Sequence, residues 1–337
     1  MAAYKTLKGQ SIRQVAQDPT NPVLGEIWYN TTTGVLKSRA FVEAWSSGGD
    51  LNTARSQVAG AGLQTAGLAL GGTPSSSSAP SRTNGNLTEE YDGANWTSGT
   101  NCPLYKRQGA AFGTQTAAVF FGGYDDPQGY EATTAEYDGT NWTAGGNYPS
   151  DISNFSGGAG TLTAAYNAGG YGGSGDPGYV NTTKEYDGTN WTEGGTIPWP
   201  AGNINNIGTL TAGLAAGGNI PPITNNVATY DGTNWTTATS APVPLASNGS
   251  SGTQTDAIVY GGLLPSPHST TTIKWDGSSW TTLSATLGQG RNNGAGCGIS
   301  PSSTQAFYAG GDVSETTVYA NTEEFSSGPA TVTITTS

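Results

Sequence analysis

A short aromatic hairpin, repeated along most of the length, constrains this chain more than any other feature. Glu185-Tyr186-Asp187-Gly188-Thr189-Asn190-Trp191-Thr192 has near-copies at Tyr91 to Trp96, Tyr137 to Trp142, Tyr230 to Trp235 and Trp275 to Trp280. An aromatic, Asp-Gly, two small polar residues and a Trp read as two short strands joined by a tight turn. Asp can bond its own backbone two residues on, Gly accepts positive φ, and the flanking aromatics give each strand a large apolar contact. Successive aspartates, Asp92, Asp138, Asp187, Asp231 and Asp276, fall at a period in the mid-forties. Four strands' worth of sequence at such a period is the signature of a β-propeller. A Gly-Gly pair ends an apolar, small-residue run in six places: Gly71-Gly72, Gly122-Gly123, Gly169-Gly170, Gly217-Gly218, Gly261-Gly262 and Gly310-Gly311. The expected fold is therefore all-β, a six-bladed propeller.

A small-residue strand ending in Gly-Gly, a loop, then an aromatic and a Trp on the next hairpin resembles the kelch repeat. The units resemble still more the kelch-like repeats of virion and tail-fibre-type proteins of marine bacteriophages. Chains of that kind often start with a stretch like Gly25-Glu26-Ile27-Trp28-Tyr29-Asn30-Thr31-Thr32. The resemblance covers nearly the whole chain and implies a kelch-like propeller in a virion. Only four residues separate Tyr from Trp, fewer than in the common kelch pattern, so the outer hairpin is expected to be unusually tight.

Charge narrows the partners. The net charge is -12, with 12 Lys and Arg against 24 Asp and Glu, and charged residues make up only 11% of the chain. Phosphate binding needs clustered Lys and Arg, so nucleic acid is not an expected partner. Residues 1–39 run against the trend, with Lys5, Lys8, Arg13, Lys37 and Arg39 facing only Asp18 and Glu26. This basic segment reads either as a solvated tail or as a docking segment for an acidic neighbouring subunit. No run reaches the roughly 18 apolar residues of a membrane helix, so no membrane insertion is expected. Cys102 and Cys297 are too few for a disulfide framework or a metal site. They fall in the first and last units, where two free thiols are favoured over a bridge.

Four segments are expected: an N-terminal attachment segment over 1–24, a hairpin and ring-closing strand over 25–46, a propeller over 47–328 and a C-terminal strand over 329–337. Ala2 to Asn21 is polar and reads as extended or weakly ordered. Glu26 to Tyr29 and Val35 to Phe41 read as a hairpin around Asn30 to Gly34. Five hairpins end in Trp96, Trp142, Trp191, Trp235 and Trp280, while the sixth unit ends at Glu324-Phe325 without a Trp. Trp45 is the expected sixth, closing the ring from the N-terminal side; the competing candidate is the β pattern Ala330 to Thr335. In the second unit the four strands are expected near Gln108 to Phe112, Ala117 to Phe121, Thr133 to Tyr137 and Asn141 to Thr143.

Strands that alternate in direction sort the loops into two faces. On one face the connections between second and third strands differ from unit to unit, which is where a recognition surface would sit. The aromatic and acidic residues available there are Tyr124, Asp125, Asp126, Tyr130, Tyr171, Asp176, Tyr179 and, in a loop between units, Trp199. Sugars favour such a mix, because rings stack on CH faces and carboxylates accept hydroxyl hydrogen bonds. The same tyrosines could instead pack on their own blades.

Enzymatic readings fail on residue types. Copper oxidases on kelch propellers need imidazole ligands, and His268 is the sole histidine. His268 reads as a solvated surface residue. Sialidase Asp-boxes carry a residue between Asp and Gly, and here the two are adjacent. Glu89-Glu90 and Glu323-Glu324 lie on strands, where neighbours point to opposite faces and cannot converge on one atom. Asp125-Asp126, in a loop, stays open as a calcium site. The resulting expectation is a non-enzymatic virion component without catalytic residues, metal or cofactor, on the tail or fibre. It would be present in multiple copies, bound to other virion proteins through the N-terminal segment and to a host-surface glycan through the variable face. A structural decoration protein is the alternative, and a polysaccharide-degrading enzyme the weakest.

Overall fold

The structure, a computed structural model, describes residues 12–74, 84–126, 128–150, 152–153, 157–172, 178–263, 268–297, 302–314 and 317–335. The chain divides into two compact units, Met1–Ala44 with Ser326–Ser337, and Trp45–Phe325. The described residues are all-β, without helices.

In the larger unit the described residues form six principal antiparallel sheets in chain order. The first consists of Ala59–Leu63, Ala66–Leu70, Thr88–Tyr91 and Trp96–Ser98, paired in that order. The second repeats it with Ala110–Thr114, Ala117–Phe121, Thr134–Tyr137 and Trp142–Ala144. In the third, the two middle strands lengthen to Ala164–Gly172 and Gly178–Tyr186, and Ile152–Ser153 adds to their far end. The fourth and fifth begin at Asn205–Thr209 and Gly249–Thr253. The sixth takes Ala295–Gly296, Gln305–Ala309 and the start of Thr322–Thr333 from late sequence, and Val35–Ser47 from early sequence as its next strand.

The repeated hairpin is built as its residues dictate. Tyr91 pairs with Trp96 across the strands, with ring centroids 4.8 Å apart. Between them Gly93 takes φ +91°, and Asp92 Oδ1 accepts the backbone N–H groups of Ala94 and Asn95 at 2.8 and 2.7 Å. Asp138, Asp187, Asp231 and Asp276 do the same for their own loops. Those donors hold all five carboxylates below the usual carboxylate range.

Neighbouring sheets are fastened by three recurring bonds. An indole N–H reaches back to a threonine hydroxyl of the preceding sheet: Trp191 to Thr134 at 3.2 Å, Trp235 to Thr183 at 2.9 Å, and Trp96 to Thr322, in the sixth sheet, at 2.8 Å. Trp45 belongs to the same set, donating to Thr272 Oγ1 at 2.8 Å with its ring 5.4 Å from Phe325. Ala330 onward continues the strand Thr322–Thr333 rather than forming a strand of its own. A tyrosine hydroxyl donates to a glutamate of the preceding sheet: Tyr137 to Glu90, Tyr186 to Glu136, Tyr230 to Glu185, and Tyr91 to Glu324 at 2.8 Å. Where the aromatic is Trp275 or Phe325 and has no hydroxyl, the glutamate is replaced by Thr229 or Lys274.

The third bond explains the Gly-Gly pairs. The second glycine's N–H donates to a carbonyl of the next sheet: Gly72 to Lys106 at 2.9 Å, Gly123 to Ile152 at 2.7 Å, Gly170 to Ala201 at 2.8 Å, Gly218 to Leu245 at 2.7 Å, Gly262 to Arg291 at 2.9 Å. Gly311 donates to Arg55 of the first sheet at 3.0 Å. The first glycine of each pair lies so near that carbonyl that a Cβ would collide with it, at 2.4 Å for Gly71 and 2.7 Å for Gly310. Rings crowd two of these glycines as well: Phe120 lies against Gly71, and Tyr308 lies as near to Gly261 as the Arg291 carbonyl does.

Other departures are local. The innermost strand of the second sheet starts at Ala110 rather than Gln108, because Gln108 sits at φ +58°, outside the extended region. The Glu-Glu pairs do split between faces: Glu89 pairs with buried Arg55 and Glu323 with buried Arg291, both at 3.0 Å, while Glu90 and Glu324 accept the tyrosine hydroxyls. Both cysteines are free thiols.

In the smaller unit, Ile27–Asn30 pairs antiparallel with Val35–Ser47, as the hairpin pattern predicts. Arg13–Val15, within the segment read as extended or weakly ordered, is extended and pairs parallel with Ile27–Asn30. Asp18 ties this segment down, accepting Trp28 Nε1 at 2.9 Å, Asn30 Nδ2 at 2.8 Å and Lys37 Nζ at 2.5 Å. Val23, Leu24 and Phe41 stand exposed there.

The glycine contacts give a direct test. Gly310→Ala puts a Cβ on a residue at φ +67° and against the Arg55 carbonyl, and is expected to cost at least about 2 kcal/mol. Gly328→Ala, with open space around the new Cβ, is expected to leave the thermal midpoint within a degree or so. Equal effects in a thermal melt would refute the assigned role of the Gly-Gly pair.

Candidate binding face

The connections between second and third strands, with the entries to the innermost strands, make one face of the larger unit. Each entry is built alike. Gln57, Gln108, Asn203, Ser247 and Asn293 hold left-handed backbone, with φ from +55° to +58°. In four of the five the preceding residue forms a bridge to the residue after a Gly-Gly pair, Ser56 with Thr73, Arg107 with Tyr124, Gly202 with Asn219 and Asn292 with Asp312; before Ser247, Ala246 accepts the N–H of Leu263 at 2.8 Å. The position after Gly-Gly is therefore presented on this face sheet after sheet. It is filled by Thr73, Tyr124, Tyr171, Asn219, Leu263 and Asp312.

Two of those positions begin a row of tyrosines. Tyr124–Asp125 and Gly129–Tyr130 form a small hairpin, and Tyr171 faces Tyr179 across the lengthened strands of the third sheet. The centroids of Tyr124, Tyr130, Tyr171 and Tyr179 succeed one another at 5.3, 5.9 and 5.3 Å, with the first and last pairs edge to face. Burial and neighbouring tyrosines push the hydroxyls of Tyr130 and Tyr179 above their ordinary pKa, so they remain donors. The Arg107 guanidinium lies 4.6 Å from the Tyr124 centroid and pairs with Asp126 at 3.4 Å. Such a cation over a ring contributes about 0.5–1 kcal/mol at an exposed site and fixes one end of the row. The result is a line of rings, with Tyr171 exposed and the other three half-buried, and with hydroxyls and carboxylates beside it.

The structure brings together Tyr124, Asp125, Asp126, Tyr130, Tyr171 and Tyr179. Trp199 does not belong with them: it is 7% exposed, packed with Ile197 and Ile204, and donates to the Gly217 carbonyl at 3.0 Å. A Trp between two prolines resembles a surface loop in sequence, yet its indole fills the gap between the third and fourth sheets. Asp176 lies outside the described residues. Trp96, Trp191, Trp235 and Trp45 make the indole bonds described above, while Trp142 and Trp280 donate instead to the carbonyls of Thr100 and Thr239 at 2.8 and 3.0 Å. His268, in a loop as expected, is half-buried and borders a recess with Asp312. The signal that the residue types do not carry is positional: the residue after Gly-Gly and the left-handed residue at the strand entries.

Beside the row lies Lys106, which is 1% exposed. It occupies the position that holds Arg55 and Arg291 in the first and sixth sheets, but Ala135 stands where Glu89 and Glu323 pair those arginines. Its ammonium donates to the Thr133 carbonyl, lies 5.5 Å from the Phe120 centroid and borders a cavity of about 220 Å³ with Asp125 and Glu131. Burial pushes it down to about 7.

A lysine whose folded pKa lies below its unfolded value of about 10.4 weakens the fold below the folded pKa, and that penalty fades as pH rises between the two values. The thermal midpoint of Lys106→Met relative to the native chain is therefore expected to be steady below about pH 7 and to shrink between about pH 7 and pH 10. A pH-independent difference would contradict a depressed lysine.

No protein-family model matches the chain, and no curated protein matches it in sequence. Among solved structures, the "Structure of YjhT" superposes with a TM-score of 0.65 at 15% identity, covering 81% of this chain and 95% of that one. At that identity the likeness is one of fold, and the shared fold is of the β-propeller type.

Proposed function

We propose that this chain is a non-enzymatic glycan-binding module on a six-bladed, kelch-like propeller whose ring is closed by the strand carrying Trp45. The innermost strands support that reading: each touches the next, and Ala295–Gly296 touches Ala59–Leu63, while the glycine N–H bonds run from sheet to sheet and from the sixth to the first. The observation that carries the function is the row Tyr124, Tyr130, Tyr171 and Tyr179. Edge-to-face rings leave alternate faces open to the CH faces of sugars, and their hydroxyls with Asp125 and Asp126 suit sugar hydroxyls. On the strength of the sequence resemblance, the setting is a bacteriophage virion, on its tail or fibre. Multiple copies there would convert weak single contacts into firm attachment to a host surface.

A second reading, a decoration protein that binds only other virion proteins, has its own support in the exposed Val23, Leu24 and Phe41 of the smaller unit. Apolar residues gathered at a surface mark protein contacts. In the first reading the same unit attaches the module to the particle.

Binding of the purified protein to surface polysaccharides of candidate hosts separates the two. The adhesion reading predicts saturable binding that falls roughly tenfold for each ring removed in Tyr130→Ala and Tyr171→Ala, about 1.4 kcal/mol apiece. Absence of binding to every polysaccharide, with a folded protein, would exclude adhesion and leave the decoration role.

A further inference from the structure

A second recess lies on the same face of the larger unit, beside the tyrosine row: Gln57 in its lining accepts from Arg107, the cation over Tyr124. It has a volume of about 370 Å³, within the range of small-molecule sites, about 300–1,000 Å³. Five carboxamides line it, Gln57, Asn203, Asn219, Asn292 and Asn293, together with the carboxylate of Asp312 and the imidazole of His268. Among the described residues, no lysine or arginine lines it. Below it, the space between the innermost strands narrows to a cavity of about 30 Å³ edged by Gly60, Gly158 and Gly294, room for little more than a water or two. A ligand entering the recess would stop there.

The recess is constructed, not left over. Gln57, Asn203, Ser247 and Asn293 all hold φ of +55° or +56°, where glycine would be relaxed and most side chains are strained. The chain has 52 glycines and places them at left-handed positions throughout, yet keeps polar side chains at these four. Their backbones are knit together: Asn293 N–H donates to the Ser247 carbonyl at 3.3 Å, and Val58 N–H to the Asn293 carbonyl at 3.2 Å. Asn293 Nδ2 donates to Asp312 Oδ2 at 3.2 Å, and Arg107 Nη1 to Gln57 Oε1 at 3.3 Å, so three of the polar groups, Asn293, Asp312 and Gln57, are oriented in advance. Asp312 is only 4% exposed.

Carboxamides carry a donor and an acceptor side by side, which matches a hydroxyl that both gives and takes a hydrogen bond. An apolar ligand would leave these groups unpaired, and an anionic one would meet the Asp312 carboxylate, the neighbouring guanidinium, Arg107, being held already by Gln57, Asp126 and the Tyr124 ring. We infer that this recess is a binding site for a neutral, polyhydroxylated ligand of monosaccharide size, held chiefly by Asn203, Asn219 and Asp312. The site does not depend on the tyrosine row. Its ligand is either a free sugar or the terminal residue of a glycan.

The test is titration of the full chain with neutral monosaccharides and myo-inositol, monitored by calorimetry or protein-observed NMR. Asn203→Gly relieves the backbone while removing the amide, so it is expected to fold at least as well as the native chain. It should bind at least tenfold more weakly, as should Asp312→Asn, while Tyr171→Ala should bind the monosaccharide unchanged. An oligosaccharide weakened by both Asn203→Gly and Tyr171→Ala would identify a glycan terminus as the ligand; weakening by Asn203→Gly alone would identify the free sugar. Absence of binding by the whole panel, binding that Asn203→Gly leaves intact, or preference for glucuronate over glucose would overturn the inference. None of these results bears on polysaccharide binding by the tyrosine row, which fails or stands separately.

Discussion

The bond on which the rest of the larger unit depends is the one from the second glycine of each Gly-Gly pair to a carbonyl of the next sheet. It requires two consecutive residues at positive φ and a backbone without Cβ, since a carbonyl oxygen lies within contact distance of where that atom would be. Only glycine meets both demands without strain. The same bond sets the course of the chain beyond it. Once the pair is pinned to the neighbouring sheet, the next residue emerges on the variable face, and the strand entry opposite it is held in a left-handed turn. Scaffold and recognition surface are thus specified by one local motif, and the residue after it is free to vary.

The outer contacts reinforce that joint with polar pairs that match across sheets. A tyrosine hydroxyl meets a glutamate in four interfaces, and in the two where the aromatic has no hydroxyl the glutamate is absent as well. A buried carboxylate facing a bare ring would lose its hydrogen bond and retain its desolvation cost. The buried Arg55–Glu89 and Arg291–Glu323 pairs obey the same logic inside single sheets, and Lys106 with Ala135 shows it relaxed. Removing one partner of such a buried pair typically costs about 3–5 kcal/mol, so Arg55 comes with Glu89 and Arg291 with Glu323, and Lys106, buried without a carboxylate at the matching position, is the exception.

Much of this was legible in the residues. The Asp-Gly hairpins, the four-strand unit, the place of Trp45 beside Phe325 and the gathering of Tyr124, Tyr130, Tyr171 and Tyr179 on one face all come from period and alternation. The role of the Gly-Gly pair was not, because its partner, a carbonyl, carries no side-chain signature. Trp199 was hidden because flanking prolines signal a loop but say nothing about burial between sheets. The carboxamide recess was invisible for a similar reason. Gln57, Asn203, Ser247 and Asn293 share a backbone conformation rather than a residue type, and come together only when separate sheets are assembled.

Whether the sheets form one mechanical ring, joined through the strand that carries Trp45, is the claim on which both the scaffold and its binding face rest. Amide hydrogen exchange of the native chain and of Trp45→Ala, resolved by segment, tests it most directly. The account predicts that the variant loses protection in the sixth sheet and also in the fifth and first, whose residues Thr272 and Tyr91 join it by hydrogen bonds through Trp45 and Glu324. Loss confined to residues 322–325, with the fifth and first sheets protected as before, would contradict a ring closed at that strand.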